Sequence, residues 1–186
     1  MLLQAERIHR KATEIARNCA TRDTVQIAKE LGIYVHHIGG LDRLLGMYTY
    51  RQRERHILLN ANMEQTTMQM VCAHEIGHDC LHRNLAKGAD GLQEFTLFDL
   101  RSETEYEANA FCAHLLIDDD VLTGLMQQGY DLAQLACALE ADVNLVLIKL
   151  NECNRMGWHL QLPYVPHADF LKNIRPKGAE TWEMIG

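Results

Sequence analysis

The stretch V-C-A-H-E-I-G-H-D-C-L-H, residues 71–82, constrains this chain more than any other. Its apolar residues and histidines recur at helical spacing, and Met70, Val71, His74, His78 and Leu81 fall on one face. That face is the apolar one, so the two histidines turn toward the interior. Four-residue spacing on a helix brings their Cβ atoms to about 6 Å, close enough for both imidazoles to reach one ion. Gly77 sharpens the constraint. Glycine in mid-helix costs roughly 1 kcal/mol relative to alanine, so another element must approach closely there.

The pattern His74-Glu75-x-x-His78 pairs two possible metal ligands with a carboxylate that can act as general base toward water. Buried, hydrogen-bonded histidines without a metal are the plain alternative. His82 continues the spacing, but it lies about 12 Å along the axis from His74 and cannot share the same ion. It is expected to pack or to support a ligand. A catalytic zinc takes three protein ligands and keeps one position open, so the third ligand must come from another element. The candidate is S-E-T-E-Y-E-A-N-A-F-C-A-H-L-L, residues 102–116. Ala108, Phe111, Cys112, Leu115 and Leu116 set its inward face. Glu105 lies about 50° from the centre of that face, Glu107 about 110° away and Glu103 nearly opposite. Glu105 is therefore the expected third ligand, and Asn109 one turn later can orient a ligand. A capping box from Ser102 to Glu105 is the competing role, and Glu107 is the competing ligand.

The remaining periodicity predicts helices over 3–19 and 21–32, the second stopped by Gly32, then a short strand over 33–38. Residues 46–50 and 55–61 read as a hairpin around a polar turn, with no Asn-Gly signal to fix its register. The histidine helix is expected over 63–82, with Asn62 as N-cap and Gln65 three residues on. Residues 83–98 read as a loop with a short strand at 94–98. A helix follows from Asp99 or Ser102 to Ile117, and the acidic run 118–120 ends it or caps the next. Two short helices are expected within 131–155, and the last thirty residues look irregular. This order gives a mainly helical α+β plan with a small sheet beside the histidine helix. At 186 residues a single domain spanning 1–186 is expected. Its core is about residues 25–120, with a helical segment at 121–156 and an irregular tail at 157–186.

A formal net charge of −7 argues against non-specific nucleic-acid binding and suits a basic protein partner. No apolar run approaches the roughly 18 residues of a membrane span. The first residues reach charge at Glu6 with no apolar core of a signal peptide, which points to the cytoplasm. The six cysteines contain no C-x-x-C pair and are expected to be reduced. Residues 131–155 have a helix-turn-helix rhythm, but Lys149 is the only base of the second helix, so a structural helical pair is expected. The basic run at 51–55 reads as a solvated turn or a substrate-side contact.

H-E-I-G-H-D-C-L-H, followed by E-T-E-Y-E-A-N-A-F-C-A-H-L-L and preceded by the hairpin L-L-G-M-Y-T-Y-R-Q-R-E-R-H-I-L-L-N-A-N, resembles the ImmA/IrrE family of metallo-endopeptidases. The resemblance covers roughly residues 25–120. E-x-x-A-N at 105–109 is similar to the E-x-x-A-D stretch of related gluzincins and again selects Glu105. The family often has Met-Pro after the double leucine, where this chain has Ile117-Asp118, a difference at a helix end. The resemblance implies a zincin-like fold and a cytoplasmic zinc-dependent endopeptidase. Zn2+ would be held by His74, His78 and Glu105, with Glu75 catalytic. The implied substrate is a helix-turn-helix repressor of a mobile element or stress regulon. The competing expectation is a metal-loaded regulator that sequesters the repressor without cutting it. Neither direct nucleic-acid binding nor a membrane is expected. The oxyanion donor is left open among His56, Tyr48, Tyr50 and Tyr106. The second strand of the hairpin is expected to pair with an extended substrate.

Overall fold

The computed structural model describes residues 2–41, 43–87, 92–94, 102–160 and 162. Helix α1 (Leu2–Cys19) buries Ala5, Ile8, Ala12 and Ala16, one residue per turn. Helix α2 (Thr24–Glu30) starts where the Asp23 carboxylate accepts from Val25 N and Gln26 N, and the chain leaves it through Gly32 at φ +73°. Four strands follow or flank the next helix: β1 (Tyr34–Ile38), β2 (Gly46–Arg51), β3 (Glu54–Asn60) and β4 (Leu92–Glu94). The helices α3 (Gln65–His82), α4 (Glu103–Leu116), α5 (Asp119–Gln127), α6 (Leu132–Ala138) and α7 (Val143–Arg155) complete a mainly helical α+β architecture.

The sheet order is β1-β3-β2-β4, with β1 parallel to β3 and the other pairs antiparallel. Alternation along the strands sends Tyr48, Ile57 and Leu59, all fully buried, against α3. The hairpin β2–β3 closes on Gln52 and Arg53, both at positive φ (52° and 67°), with Arg51 opposite Glu54. That is the two-residue turn whose twist matches paired strands. One expectation is overturned. Strand β3, the second strand of the hairpin, is interior: β1 occupies one side and β2 the other, so it has no edge left for a substrate. Among the described residues, β1 and β4 are the edges.

Helix α4 is wrapped by α1, α3 and α7, and every residue from Glu107 to Leu115 is buried. It therefore has no single inward face. Helix α3 starts at Gln65 with Glu64 as N-cap, not at Asn62. The reason is the Asn60 side chain, whose Oδ1 accepts from Asn62 N while its amide donates to the Leu41 and Leu44 carbonyls. The chain turns there first and enters the helix later. A short strand lies at Leu92–Glu94; of the strand expected at 94–98, residues 95–98 lie outside the described residues. So do residues 163–186 of the expected irregular tail.

Asp118 caps α5, accepting from Asp120 N and Val121 N. Helix α7 is packed rather than presented: Leu145 to Leu150, Glu152 and Cys153 are buried. Lys149 is fully buried, its Nζ 2.5 Å from Asp119 Oδ1 and 2.9 Å from His114 Nδ1. His9 Nε2 reaches the same carboxylate at 2.6 Å. This network joins α1, α4, α5 and α7, in keeping with a structural rather than a DNA-reading role for the last helical pair. Among the described residues no helix is long and apolar enough to cross a membrane.

Candidate metal centre

The close approach that Gly77 requires is made by α4. A Cβ at Gly77 would stand 3.2 Å from both Cα and O of Ala108 and 3.3 Å from Phe111 Cβ. Backbone meets backbone there, and the contact sets Glu105 and Asn109 of α4 opposite His74 and His78 of α3. The Nε2 atoms of His74 and His78 are 3.0 Å apart. Glu105 Oε2 lies 3.2 Å from the first and 3.5 Å from the second. Ser102 accepts from Glu105 N at 3.2 Å, so the serine half of the capping box forms while the glutamate carboxylate stands at the histidine pair.

The ionisation of the cluster follows from burial and charge. Burial, reinforced by the neighbouring imidazoles of His74 and His82, lowers the His78 pKa to about 4 and keeps it neutral at pH 7. Burial alone would raise Glu105, but His74 and His78 outweigh it and hold the carboxyl well below the usual range. His74 Nδ1 is 3.0 Å from Asn109 Oδ1. An amide oxygen only accepts, so Nδ1 carries the proton and Nε2 presents its lone pair. Asn109 thus stands where the spacing placed it. Three electron-pair donors face one point. A tetrahedral zinc with bonds of about 2.0–2.1 Å requires ligand edges of about 3.3 Å. Edges of 3.0, 3.2 and 3.5 Å fit such an ion, and His74, His78 and Glu105 form a group able to hold a metal.

Glu75 is fully buried between α3 and the sheet. A Cβ at Gly46, the first residue of β2, would stand 2.8 Å from Glu75 Oε1 and 2.4 Å from Val71 Cγ1. The missing side chain makes room for the carboxylate. Asp79, next to His78, fastens the sheet to the helix. It accepts from Tyr48 OH at 2.6 Å, from Arg55 at 3.1 Å and from Arg83 at 2.9 Å. Arg55 also donates to the Leu31 carbonyl, so the end of the basic run 51–55 is structural rather than solvated.

The four oxyanion candidates fare differently. Tyr48 is committed to Asp79 and Tyr106 to Glu152; burial and then these carboxylates push both phenols well up. His56 lies on the other face of the sheet, with Nδ1 3.1 Å from His36 Nε2. Tyr50 lies four residues along β2 from Gly46, about 13 Å at the usual rise. Glu107 departs from its expected sideways position. Its side chain is only 10% exposed, whereas that of Glu105 keeps 22%. The cover over Glu107 comes from His82, whose Nε2 is 2.8 Å from its Oε2, and from Gln4 of α1, which donates to its Oε1. Asp79, Gly46 and the part of Glu107 as partner of His82, the histidine expected to pack or to support a ligand, are what sequence reasoning missed. The signals available were an acid directly after His78 and a third histidine one turn beyond it.

This fold and this centre are of the metallopeptidase type. The chain belongs to the peptidase family described as the IrrE N-terminal-like domain, which matches residues 28–151. It is also similar to the "Uncharacterized immunity region protein 2" of Bacillus phage phi105. The two are 31% identical over 121 residues, which cover 62% of this chain and 72% of the phage protein.

Proposed function

We propose that this chain is a cytoplasmic zinc-dependent endopeptidase that cleaves a helix-turn-helix repressor of a mobile element or stress regulon. His74, His78 and Glu105 hold Zn2+, and Glu75 is the general base. The observation that carries the reading is the convergence of two imidazole Nε2 atoms and one carboxylate oxygen, 3.0–3.5 Å apart, in a buried centre. Similarity to a phage immunity region protein supports a substrate connected with a mobile element. A net charge of −7 suits a basic, DNA-binding partner.

Zinc bound there would polarise the scissile carbonyl as a Lewis acid and make water more acidic. Glu75 takes a proton from the attacking water and returns it to the leaving amine. Burial against β2 holds its carboxylate in place, and Asn109 holds the His74 ring. An extended substrate adds to β1 or β4, the edge strands among the described residues.

Two substitutions test this. Glu75→Gln should keep about one zinc per chain and lose about 10²–10⁴-fold in cleavage of a co-expressed repressor, while still binding it. Glu105→Ala should lose zinc and cleavage together. Wild-type protein that takes up no metal after chelation and refilling would overturn the reading. Cleavage by Glu75→Gln at the wild-type rate would remove the assigned base.

A further inference from the structure

Two polar side chains beside the centre, His82 and Glu107, have no part in the chemistry above, yet each is only 8% exposed. His82 lies one turn beyond His78 on α3, with Nδ1 3.1 Å from His78 Nδ1. Its other nitrogen, Nε2, is 2.8 Å from Glu107 Oε2 on α4. With His82 in its neutral form, the carboxylate sets the direction of both hydrogen bonds in this chain. An ionised carboxylate only accepts, so His82 donates through Nε2. A neutral His82 then has only a lone pair at Nδ1, so His78 donates from its own Nδ1. His78 is left with a lone pair on Nε2, the atom 3.0 Å from His74 Nε2 and 3.5 Å from Glu105 Oε2.

We propose that His82 and Glu107 are positioning residues that lock His78 in the tautomer and ring orientation needed to bind the metal. The proposal rests on the metal-centre reading given above. A residue that only filled space would not need both ring nitrogens at hydrogen-bond distance from polar partners, and a leucine would serve as well. The two metal-facing histidines are held by unlike means. His74 is held by the neutral amide of Asn109, while the chain from His78 ends on a carboxylate. A charged terminus raises the basicity of the ligand as well as orienting it. Gln4 extends the chain to α1, a helix outside the family-matched residues 28–151.

The test compares His82→Ala, His82→Gln and Glu107→Gln with Glu14→Gln, which removes an exposed charge outside this chain of hydrogen bonds. Zinc affinity is measured by chelator competition, the ligand field by the absorption of the Co2+ form, and folding by the melting temperature of the metal-free protein. His82→Ala should bind zinc about 10- to 100-fold more weakly and shift the Co2+ spectrum. His82→Gln should recover most of the affinity, because its amide can accept from His78 and donate to Glu107. Glu107→Gln should weaken zinc binding, and Glu14→Gln should leave it unchanged. Wild-type affinity and spectrum in both His82→Ala and Glu107→Gln would overturn the proposal while leaving the metal centre standing. Equal losses of affinity and melting temperature in His82→Ala and His82→Gln would also overturn it, in favour of packing. A wild type that binds no zinc would overturn the proposed function and this pair together.

Discussion

Gly46 and Gly77 each leave out a side chain at a point where the centre has no room for one. At Gly77 the obstacle is the α4 backbone, 3.2 Å from a would-be Cβ; at Gly46 it is the tip of Glu75 and Val71 Cγ1. The two positions therefore fail differently. Gly46→Ala displaces the Glu75 carboxylate and presses on Val71, and leaves His74, His78 and Glu105 in place. It should retain zinc and lose on the order of 10²-fold in kcat, read by elemental analysis alongside a cleavage assay. Loss of zinc in that variant would mean that β2 supports the ligands themselves. Only one of these glycines was legible in the sequence. Gly77 stands inside a helix, where glycine has a cost that demands an explanation. Gly46 stands at the start of a strand, where it demands none. Helical phase placed Glu105 at the histidine pair but sent Glu107 toward the side. Phase discriminates only when one face is buried, and α4 is covered by three helices.

At the scale of elements, legibility followed the range of the interactions. Helix ends marked by local hydrogen bonds leave a signal in the sequence: the acidic run 118–120, expected to end one helix or cap the next, supplies Asp118 as the cap of α5, whereas the Asp23 cap of α2 falls inside the helix expected over 21–32. The start of α3 leaves no such signal, because Asn60 turns the chain through contacts to residues 41 and 44. The interior position of β3 was hidden for a related reason. Its parallel partner β1 lies some twenty residues earlier, and such pairing is decided by tertiary packing rather than by the strand's own alternation. The hairpin turn carries a local cost that a substitution can remove. Gln52 and Arg53 both sit at positive φ, a conformation costing roughly 1–2 kcal/mol per non-glycine residue. The double change Gln52→Asn and Arg53→Gly supplies the residues this turn prefers. It should raise stability by about 1 kcal/mol in denaturant unfolding, with zinc content unchanged. A loss of stability would show that one of the two native side chains makes a compensating contact.

At the scale of the whole molecule, the metal centre joins α3 to α4, and the network around Lys149 joins four helices. His9, His114 and Asp119 also lie close enough together to suggest a metal. The Lys149 ammonium, however, already contacts both His114 and Asp119, which fits the expectation of one zinc per chain. Burial, and then the positive charge of Lys149, lowers the His114 pKa well below its ordinary value, so that ring stays neutral and leaves Asp119 as the counter-charge. Removing one partner of a buried ion pair costs about 3–5 kcal/mol. The Asp119 side chain keeps 29% exposure, so water takes up part of its orphaned charge and Lys149→Ala should fall near the low end of that range.

Full burial of the Lys149 amine also makes it a built-in reporter of breathing. An amine-reactive label can reach it only after α7 has lifted from α1, α4 and α5. Mass-spectrometric labelling at Lys149, followed over time, should therefore trail far behind labelling at Lys29, which the fold leaves exposed, and should accelerate with sub-denaturing urea. Labelling of the two lysines at equal rates would show that α7 does not stay seated on α1, α4 and α5. The ratio of the two rates reads the fraction of time the molecule spends open, a gauge that needs neither a substrate nor a metal.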